Sequence, residues 1–257
     1  MQKIKVEYQY DNSVARIILD DGKGNVLDII MMSEINELLN SFKNKADLKL
    51  IIFEGAGKNF SYGASVEEHK KELAAEMLEN FHKMFHAIVD LNIPTMALIS
   101  GQCLGGGFEL PLVCNFIFAD KTAKVGQPEI LLGVFAPPAS IILPLKIGNV
   151  RSDELLITGK IITAEEAKEI GLINDVFEDR ESMQIFVDEW IKKNILGKSA
   201  SSLRFANKTA RASFNFFMQK NLPYFTDLFI NELMETEDAN EGINSFLEKR
   251  KPVWRNR

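Results

Sequence analysis

The chain of 257 residues is poor in the features that mark secreted, membrane-spanning and disulfide-stabilised proteins. It has two cysteines, Cys103 and Cys114, both in apolar surroundings, and we expect them to be buried, reduced thiols. No uncharged apolar run approaches the roughly 20 residues that a membrane helix needs. The segment 1–6 lacks the apolar centre of a secretory signal. These absences predict a cytoplasmic protein without membrane or disulfide.

An excess of basic residues is also missing. Lysine and arginine total 30 against 36 acidic residues, a formal net charge of −6, which disfavours nucleic acid as the main partner. No Walker loop is present, and the glycines from Gly101 to Gly107 do not have dinucleotide-binding spacing. His82 and His86 could share a metal on one helix face, but no third ligand accompanies them. We therefore predict no metal site.

The first half of the chain alternates between strand and helix patterns. Such alternation predicts an α/β core with a largely parallel sheet. Ser33 is a candidate cap for the first helix, and Ser65 with Glu68 fits a capping box that would open a long helix to about residue 90. The predicted strands are 4–10, 14–19, 50–53, 94–100 and 115–119.

After Ala139 the strand patterns nearly vanish. Thr163 and Glu166 fit another capping box, and the pattern predicts helices at 181–194, 199–212, 222–235 and 238–249. Without an obvious linker, we divide the chain into an α/β core, residues 1–195, and a C-terminal helical region, residues 196–257. That region carries more aromatic residues than a solvated surface should, and packing or other subunits would cover them: Phe214, Phe216, Phe217, Tyr224, Phe225 and Phe229.

The run Gly105–Gly107 precedes a predicted helix start at Phe108. Backbone N–H groups at a helix start lack helical acceptors and can stabilise an oxyanion. Glu109 lies in the first turn, and Glu129 follows Gln127 and Pro128 twenty residues later. Two carboxylates beside an oxyanion site suit the addition or removal of water next to a carbonyl. Each acid could also have a purely structural role, Glu109 as a favourable charge at a helix start and Glu129 as a solvated loop residue.

Several blocks in order resemble the crotonase (enoyl-CoA hydratase/isomerase) family. They cover nearly the whole chain: residues 59–64, 105–109, 126–133, 158–173 and 246–250. The resemblance implies a ββα spiral core with the acyl-CoA site in residues 1–195, and a C-terminal helical layer, residues 196–257, used in oligomerisation as a trimer. It also implies an acyl-CoA thioester substrate, no separate cofactor because coenzyme A is part of the substrate, and a homotrimer or homohexamer.

The resemblance also assigns roles to individual residues. The N–H groups of Ala64 and Gly106 would bind the thioester oxygen. Glu109 would orient or deprotonate water, and Glu129 would exchange a proton with substrate carbon, although the sequence leaves open which carboxylate takes which role.

The chain departs from simple hydratases of the family at three candidate pocket residues. Ser65 stands where an aspartate is common, and Phe135 with Pro137 stands where a glycine-rich loop usually offers an N–H to the attacking water. Proline has no N–H. Residues 63–69 and 134–140 most resemble the hydratases of cyclohexa-1,5-diene-1-carbonyl-CoA in anaerobic benzoyl-CoA degradation, which favours a flat ring as the acyl group.

Two alternatives stay open. The first is hydration of ordinary short-chain 2-enoyl-CoA, which needs the same two carboxylates. The second is a non-catalytic RNA-binding or scaffold homologue, against which the net charge and the intact glutamates both argue.

Overall fold

A computed structural model describes residues 1–257 and shows two sheets surrounded by helices. The six-stranded sheet has the order β1-β2-β3-β4-β6-β9 and is parallel except for the β1–β2 hairpin; the second sheet has the order β5-β7-β8. The strands are β1 (Ile4–Gln9), β2 (Val14–Leu19), β3 (Leu50–Gly55), β4 (Thr95–Ile99), β5 (Gln102–Leu104), β6 (Phe116–Asp120), β7 (Lys124–Gly126), β8 (Ile161–Thr163) and β9 (Asp175–Phe177). The predicted, largely parallel α/β core is confirmed.

Nine α-helices cover the sheets, and none combines the length and apolar character needed to cross a bilayer. They are α1 (Ile29–Ser41), α2 (Lys71–Leu91), α3 (Gly106–Val113), α4 (Pro137–Thr158, broken at Gly148), α5 (Ala164–Glu169), α6 (Arg180–Ile191), α7 (Ala200–Ala210), α8 (Ala212–Asn231) and α9 (Glu237–Leu247). Short 3-10 turns include Glu67–His69 and Pro128–Leu132.

The large sheet is buried on both faces. Ile51 and Phe53 of β3 face the main core, whereas Leu50 and Ile52 pack in a second cluster with Met183 of α6. Successive side chains of a strand point to opposite faces, so both sets of apolar residues are buried at once. A nearly continuous apolar strand is typical of parallel sheets covered by helices.

Several local predictions need correction. Asp28, not Ser33, caps α1, since its carboxylate accepts the N–H of Met31 at 3.0 Å. Ser65 and Glu68 form no capping box: Glu68 accepts the N–H of Ile29 at 3.1 and 3.2 Å, and α2 begins only at Lys71. Residues 67–69 form a separate 3-10 turn, because the non-helical backbone of Lys70 (φ −54°, ψ 143°) separates it from α2.

Other differences concern short strands and the segment after Phe135. The strands β5, β7, β8 and β9 have three residues each, too few for a visible alternation. Residues 137–140, which stand where simple hydratases usually have a glycine-rich loop, form the first turn of α4, because proline fits the first positions of a helix where no N–H is needed. The capping box of Thr163 and Glu166 is confirmed.

Candidate active site

A parallel bridge brings the predicted oxyanion residues together. Ser61 pairs with Cys103, and the same register places Ala64 beside Gly106. A Cβ atom added to Gly106 would lie 3.3 Å from the Ala64 nitrogen and 3.1 Å from Phe81 Cζ. Gly106 therefore allows two chain segments to approach each other at the start of α3.

The N–H groups of both residues are free of backbone partners for different reasons. Ala64 forms a parallel bridge with Leu27. The N–H of Leu27 donates to the carbonyl of Gly63 at 2.9 Å, and the carbonyl of Leu27 accepts the N–H of Ser65 at 3.3 Å. That pattern leaves the Ala64 N–H unused. Gly106 is the first residue of α3, and the first N–H groups of a helix have no acceptor within it. The geometry fits the predicted oxyanion site.

The two glutamates meet at this helix start. Glu109 lies one turn into α3 and is 3% exposed. Glu129 follows β7, which pairs in parallel with β5, so its turn returns to the residue after β5. That residue, Gly105, has φ +52° and would carry a Cβ only 2.7 Å from Glu129 Oε1. A side chain at this position would displace the carboxylate, and glycine also adopts this φ without strain.

Each carboxyl has polar contacts but neither has a salt-bridge partner. The N–H of Ala139 donates to Glu109 Oε1 at 2.8 Å. Because Pro137 and Pro138 lack N–H groups, Ala139 offers the first free donor of α4. The buried Gln127 amide, turned with its nitrogen toward Glu129, donates to both carboxylate oxygens at 3.0 and 3.1 Å.

Burial without a cation changes the acidity of the pair. Burial raises the pKa of the Glu129 carboxyl to about 7. Burial and the negative charge of Glu129 raise the pKa of Glu109 well above its usual value, against the opposing effect of the Ala139 N–H. Two such neighbours resist ionising together, so near neutral pH they retain a shared proton. The pair can therefore accept one proton and donate another.

Aromatic side chains of α8 complete the surroundings. Phe135 packs edge-on against Phe229, with ring centroids 5.4 Å apart, and against Phe225 at 6.3 Å. The ring of His69 lies 6.5 Å from that of Phe229 and its Nδ1 lies 2.7 Å from the Ser65 carbonyl oxygen. Burial lowers the pKa of His69. His69 therefore connects the segment that follows Ala64 to the aromatic cluster of Phe135, Phe225 and Phe229.

The structure thus brings together the predicted Ala64, Gly106, Glu109 and Glu129, with Phe135 and Pro137 in the segment that leads to Ala139. Sequence reasoning missed Gln127, the Ala139 N–H and Phe229 as contacts. Gln127 lay within the quoted 126–133 block and could have been found there. The other two depend on helix α4 and on long-range packing, for which the sequence carried no signal. Nδ1 of His82 lies 2.8 Å from Thr226 Oγ1.

Comparison with known proteins places this geometry in a family. Residues 9–257 match the profile of the family described as enoyl-CoA hydratase/isomerase. The chain belongs to this family. It is 38% identical over 254 residues to a cyclohexa-1,5-dienecarbonyl-CoA hydratase from Thauera aromatica, covering 99% of this chain and 97% of that protein.

Two further relatives show how widely the likeness extends. A probable mitochondrial enoyl-CoA hydratase from Dictyostelium discoideum is 31% identical, over 91% of this chain and 84% of its own length. The crystal structure of an enoyl-CoA hydratase from Bacillus halodurans superposes with a TM-score of 0.87 at 24% identity, over 95% of this chain and 99% of that one, which confirms the crotonase fold. This family member is an enzyme of the hydratase type, a carbon–oxygen hydro-lyase.

Proposed function

We propose that this enzyme hydrates a cyclic conjugated dienoyl-CoA, namely cyclohexa-1,5-diene-1-carbonyl-CoA, to 6-hydroxycyclohex-1-ene-1-carbonyl-CoA in anaerobic benzoyl-CoA degradation. The observation that carries the proposal is the pair of carboxyls, buried Glu109 and partly buried Glu129, with raised pKa values beside two free N–H groups. The 38% identity to the Thauera aromatica hydratase over nearly the full length of both proteins supports the ring substrate.

The proposed chemistry is a 1,4-addition of water. The oxygen of water bonds to the ring carbon beta to the thioester while Glu109 takes its proton. The electrons of the double bond between the alpha and beta carbons move toward the thioester oxygen, where the N–H groups of Ala64 and Gly106 stabilise the enolate. Glu129 then gives a proton to the far end of the diene, and the remaining double bond stays conjugated with the carbonyl. Water adds in full, so no separate cofactor is needed.

The aromatic cluster favours a ring over a flexible chain. Phe135 is held by Phe225 and Phe229, and Pro137 with Pro138 fixes the backbone that follows. A rigid apolar site favours a ligand that already has the bound shape, because less freedom is lost on binding. Pro137 also has no N–H to offer to the attacking water. The first N–H after the two prolines, that of Ala139, already donates to Glu109.

The test is a substrate panel. We expect a higher kcat/KM for cyclohexa-1,5-diene-1-carbonyl-CoA than for cyclohex-1-ene-1-carbonyl-CoA or crotonyl-CoA. Pro137→Ala restores an N–H without breaking the helix and should narrow the difference between diene and crotonyl-CoA. If the unaltered enzyme turns over crotonyl-CoA faster than the cyclic diene, the ring assignment fails.

The second candidate is an ordinary 2-enoyl-CoA hydratase of fatty-acid or amino-acid breakdown. The catalytic pair would be the same, and the 31% identity to the Dictyostelium discoideum protein favours it. Faster crotonyl-CoA turnover would establish it. An RNA-binding or scaffold role would require RNA retention in gel-shift experiments at physiological salt together with no hydration of any thioester.

A further inference from the structure

The C-terminal helix α9 touches the backbone of the turn that carries Glu129. A Cβ atom added to Gly242 would lie 2.5 Å from the carbonyl carbon of Leu132, closer still to its oxygen, and 3.1 Å from the nitrogen of Gly133. Real Cβ atoms essentially never approach backbone below 3.0 Å. Only glycine at position 242 permits this contact, although glycine weakens a helix relative to alanine.

The same contact is built from the side of the turn. Gly133 ends the 3-10 turn with φ +72°, and its N–H donates to the Ile130 carbonyl at 3.0 Å. A Cβ on Gly133 would lie 2.9 Å from the carbonyl oxygen of Asp238, in the first turn of α9. The Val134 N–H donates to the Glu129 carbonyl at 3.3 Å. The turn from Glu129 to Gly133 therefore rests on α9 backbone to backbone.

Helix α9 is itself fixed by the residues that follow it. The carboxylate of Asp238 accepts the N–H groups of Arg255 and Asn256, both at 2.6 Å. Glu241 forms two contacts with Arg250, at 2.5 and 2.8 Å. The Trp254 ring lies over Gly133, since a Cβ there would be 3.3 Å from Trp254 Cζ3. The tail thus closes over the contact between α9 and the turn.

We propose that Gly242 is a positioning residue for Glu129, holding its turn through α9 and the tail. This inference rests on the proposed function, because it gives Glu129 a proton to deliver at a fixed place. An added methyl group would force the turn and the helix apart, and a displacement of about 1 Å at a reacting group can cost on the order of 10²-fold in rate. Substrate binding at the oxyanion site would be spared, since Ala64 and Gly106 lie on other segments.

The experiment compares Gly242→Ala with Gly197→Ala. Gly197 has an ordinary φ of −73° and nothing within 4 Å of an added Cβ, so the same change there should be silent. For the thioester that the unaltered enzyme hydrates best, we expect Gly242→Ala to lower kcat at least tenfold with KM within about twofold. The pH profile should also move, because a displaced Glu129 loses the burial that raises its pKa to about 7.

Hydrogen–deuterium exchange of residues 128–134 gives a readout that does not depend on catalysis. Faster exchange in Gly242→Ala, confined to this turn and α9, supports the contact, and unchanged exchange with unchanged kcat overturns the proposal. If the unaltered enzyme hydrates no thioester, the proposed function fails while the exchange data still test the contact. Should Gly242→Ala fail to fold, Trp254→Ala loosens the tail without a clash and should lower kcat at constant KM.

Discussion

At the scale of single residues, the central feature is a pair of acids, buried Glu109 and partly buried Glu129, at positions where stability alone would not place them. Glu109 is 3% exposed, and the negative charge of Glu129 raises its pKa. Neither carboxylate forms a salt bridge with a cation. Burying a charge is costly unless it is paired. Strongly perturbed acids in a structured cleft are candidates for acid–base chemistry, because a group whose pKa lies near the working pH can both take and give a proton.

The first prediction is that replacing either carboxyl by its amide lowers turnover. Glu109→Gln and Glu129→Gln keep the side-chain shape but cannot exchange protons, so each should lower kcat on the order of 10²-fold or more with KM largely retained. Steady-state kinetics on the best thioester measure this. The exposed Glu169→Gln is the matched control and should match the unaltered enzyme. Near-full activity of either amide variant would make that residue structural.

The second prediction concerns stability and pH. The folded pKa of Glu129, about 7, lies above the usual 4.5, so its protonated form stabilises the fold below pH 4.5, and this stabilisation is lost as pH rises toward 7 and beyond. The loss should be about 2 kcal/mol, since each pKa unit corresponds to about 1.4 kcal/mol and the group is only partly buried. Glu129→Gln removes the titration.

Thermal melts of both proteins at pH 4.5 and pH 8 check the sign. Glu129→Gln should melt several degrees above the unaltered protein at pH 8, because about 1 kcal/mol shifts Tm by roughly 2–4 °C in a chain of this size. At pH 4.5 the two should melt together. If Glu129→Gln were less stable than the unaltered protein at pH 8, burial would not disfavour the charged form of Glu129, and the prediction would be wrong.

At the scale of elements, the start of α3 carries the oxyanion assignment. Gly106→Pro removes one N–H at a position where proline is normally compatible with a helix. Its Cβ would also lie 3.3 Å from the Ala64 nitrogen, so Gly106→Ala, which adds the same Cβ but keeps the N–H, is the steric control and should retain more activity. We expect turnover to fall on the order of 10²–10³-fold, as for the loss of one oxyanion donor. Ala200→Pro, at the first position of α7 behind its Ser199 cap, makes the same change away from the site and should be silent. Full activity of a folded Gly106→Pro enzyme contradicts the assignment.

The elements also show what sequence patterns can and cannot predict. The strands predicted at 14–19 and 50–53 are found at 14–19 and 50–55, because buried strands of a parallel sheet are rich in apolar residues. The first turn of α4 was missed, since Pro137 and Pro138 signal both a stiff loop and a helix start. Similarly, Glu68 satisfies the spacing of a capping box but is bound by Ile29, a partner 39 residues away that no local pattern encodes.

For the site, motif order predicted which residues meet but not what holds them. Glu109 and Glu129 were predicted together, and the register of β5 with β7 explains why. Ala139 and Gly242 could not be found in this way, because each contributes backbone contacts and no distinctive side chain. Backbone contacts between distant segments depend on the packing of whole helices, which local composition does not specify.

At the scale of the whole molecule, part of the predicted aromatic surface is covered within the chain. Phe229 is buried, and Phe214 and Phe225 pack partly against the core. Phe205, Phe216 and Tyr224 of α7 and α8 remain 70%, 60% and 61% exposed. Large exposed apolar groups gathered on adjoining helices mark interaction surfaces.

The last prediction is that this surface joins copies of the chain into a homotrimer or homohexamer. Sedimentation velocity should then give three or six times the 29.0 kDa of one chain. Phe216→Lys places a charge in the surface and should shift the protein toward smaller species, because an unpaired charge at the centre of an interface is costly. Ile185 is 58% exposed on α6, which covers the opposite face of the large sheet. Ile185→Lys is therefore the matched control and should leave the mass unchanged. A monomer in the unaltered protein would contradict the prediction and leave the aromatic residues of α7 and α8 to a different partner.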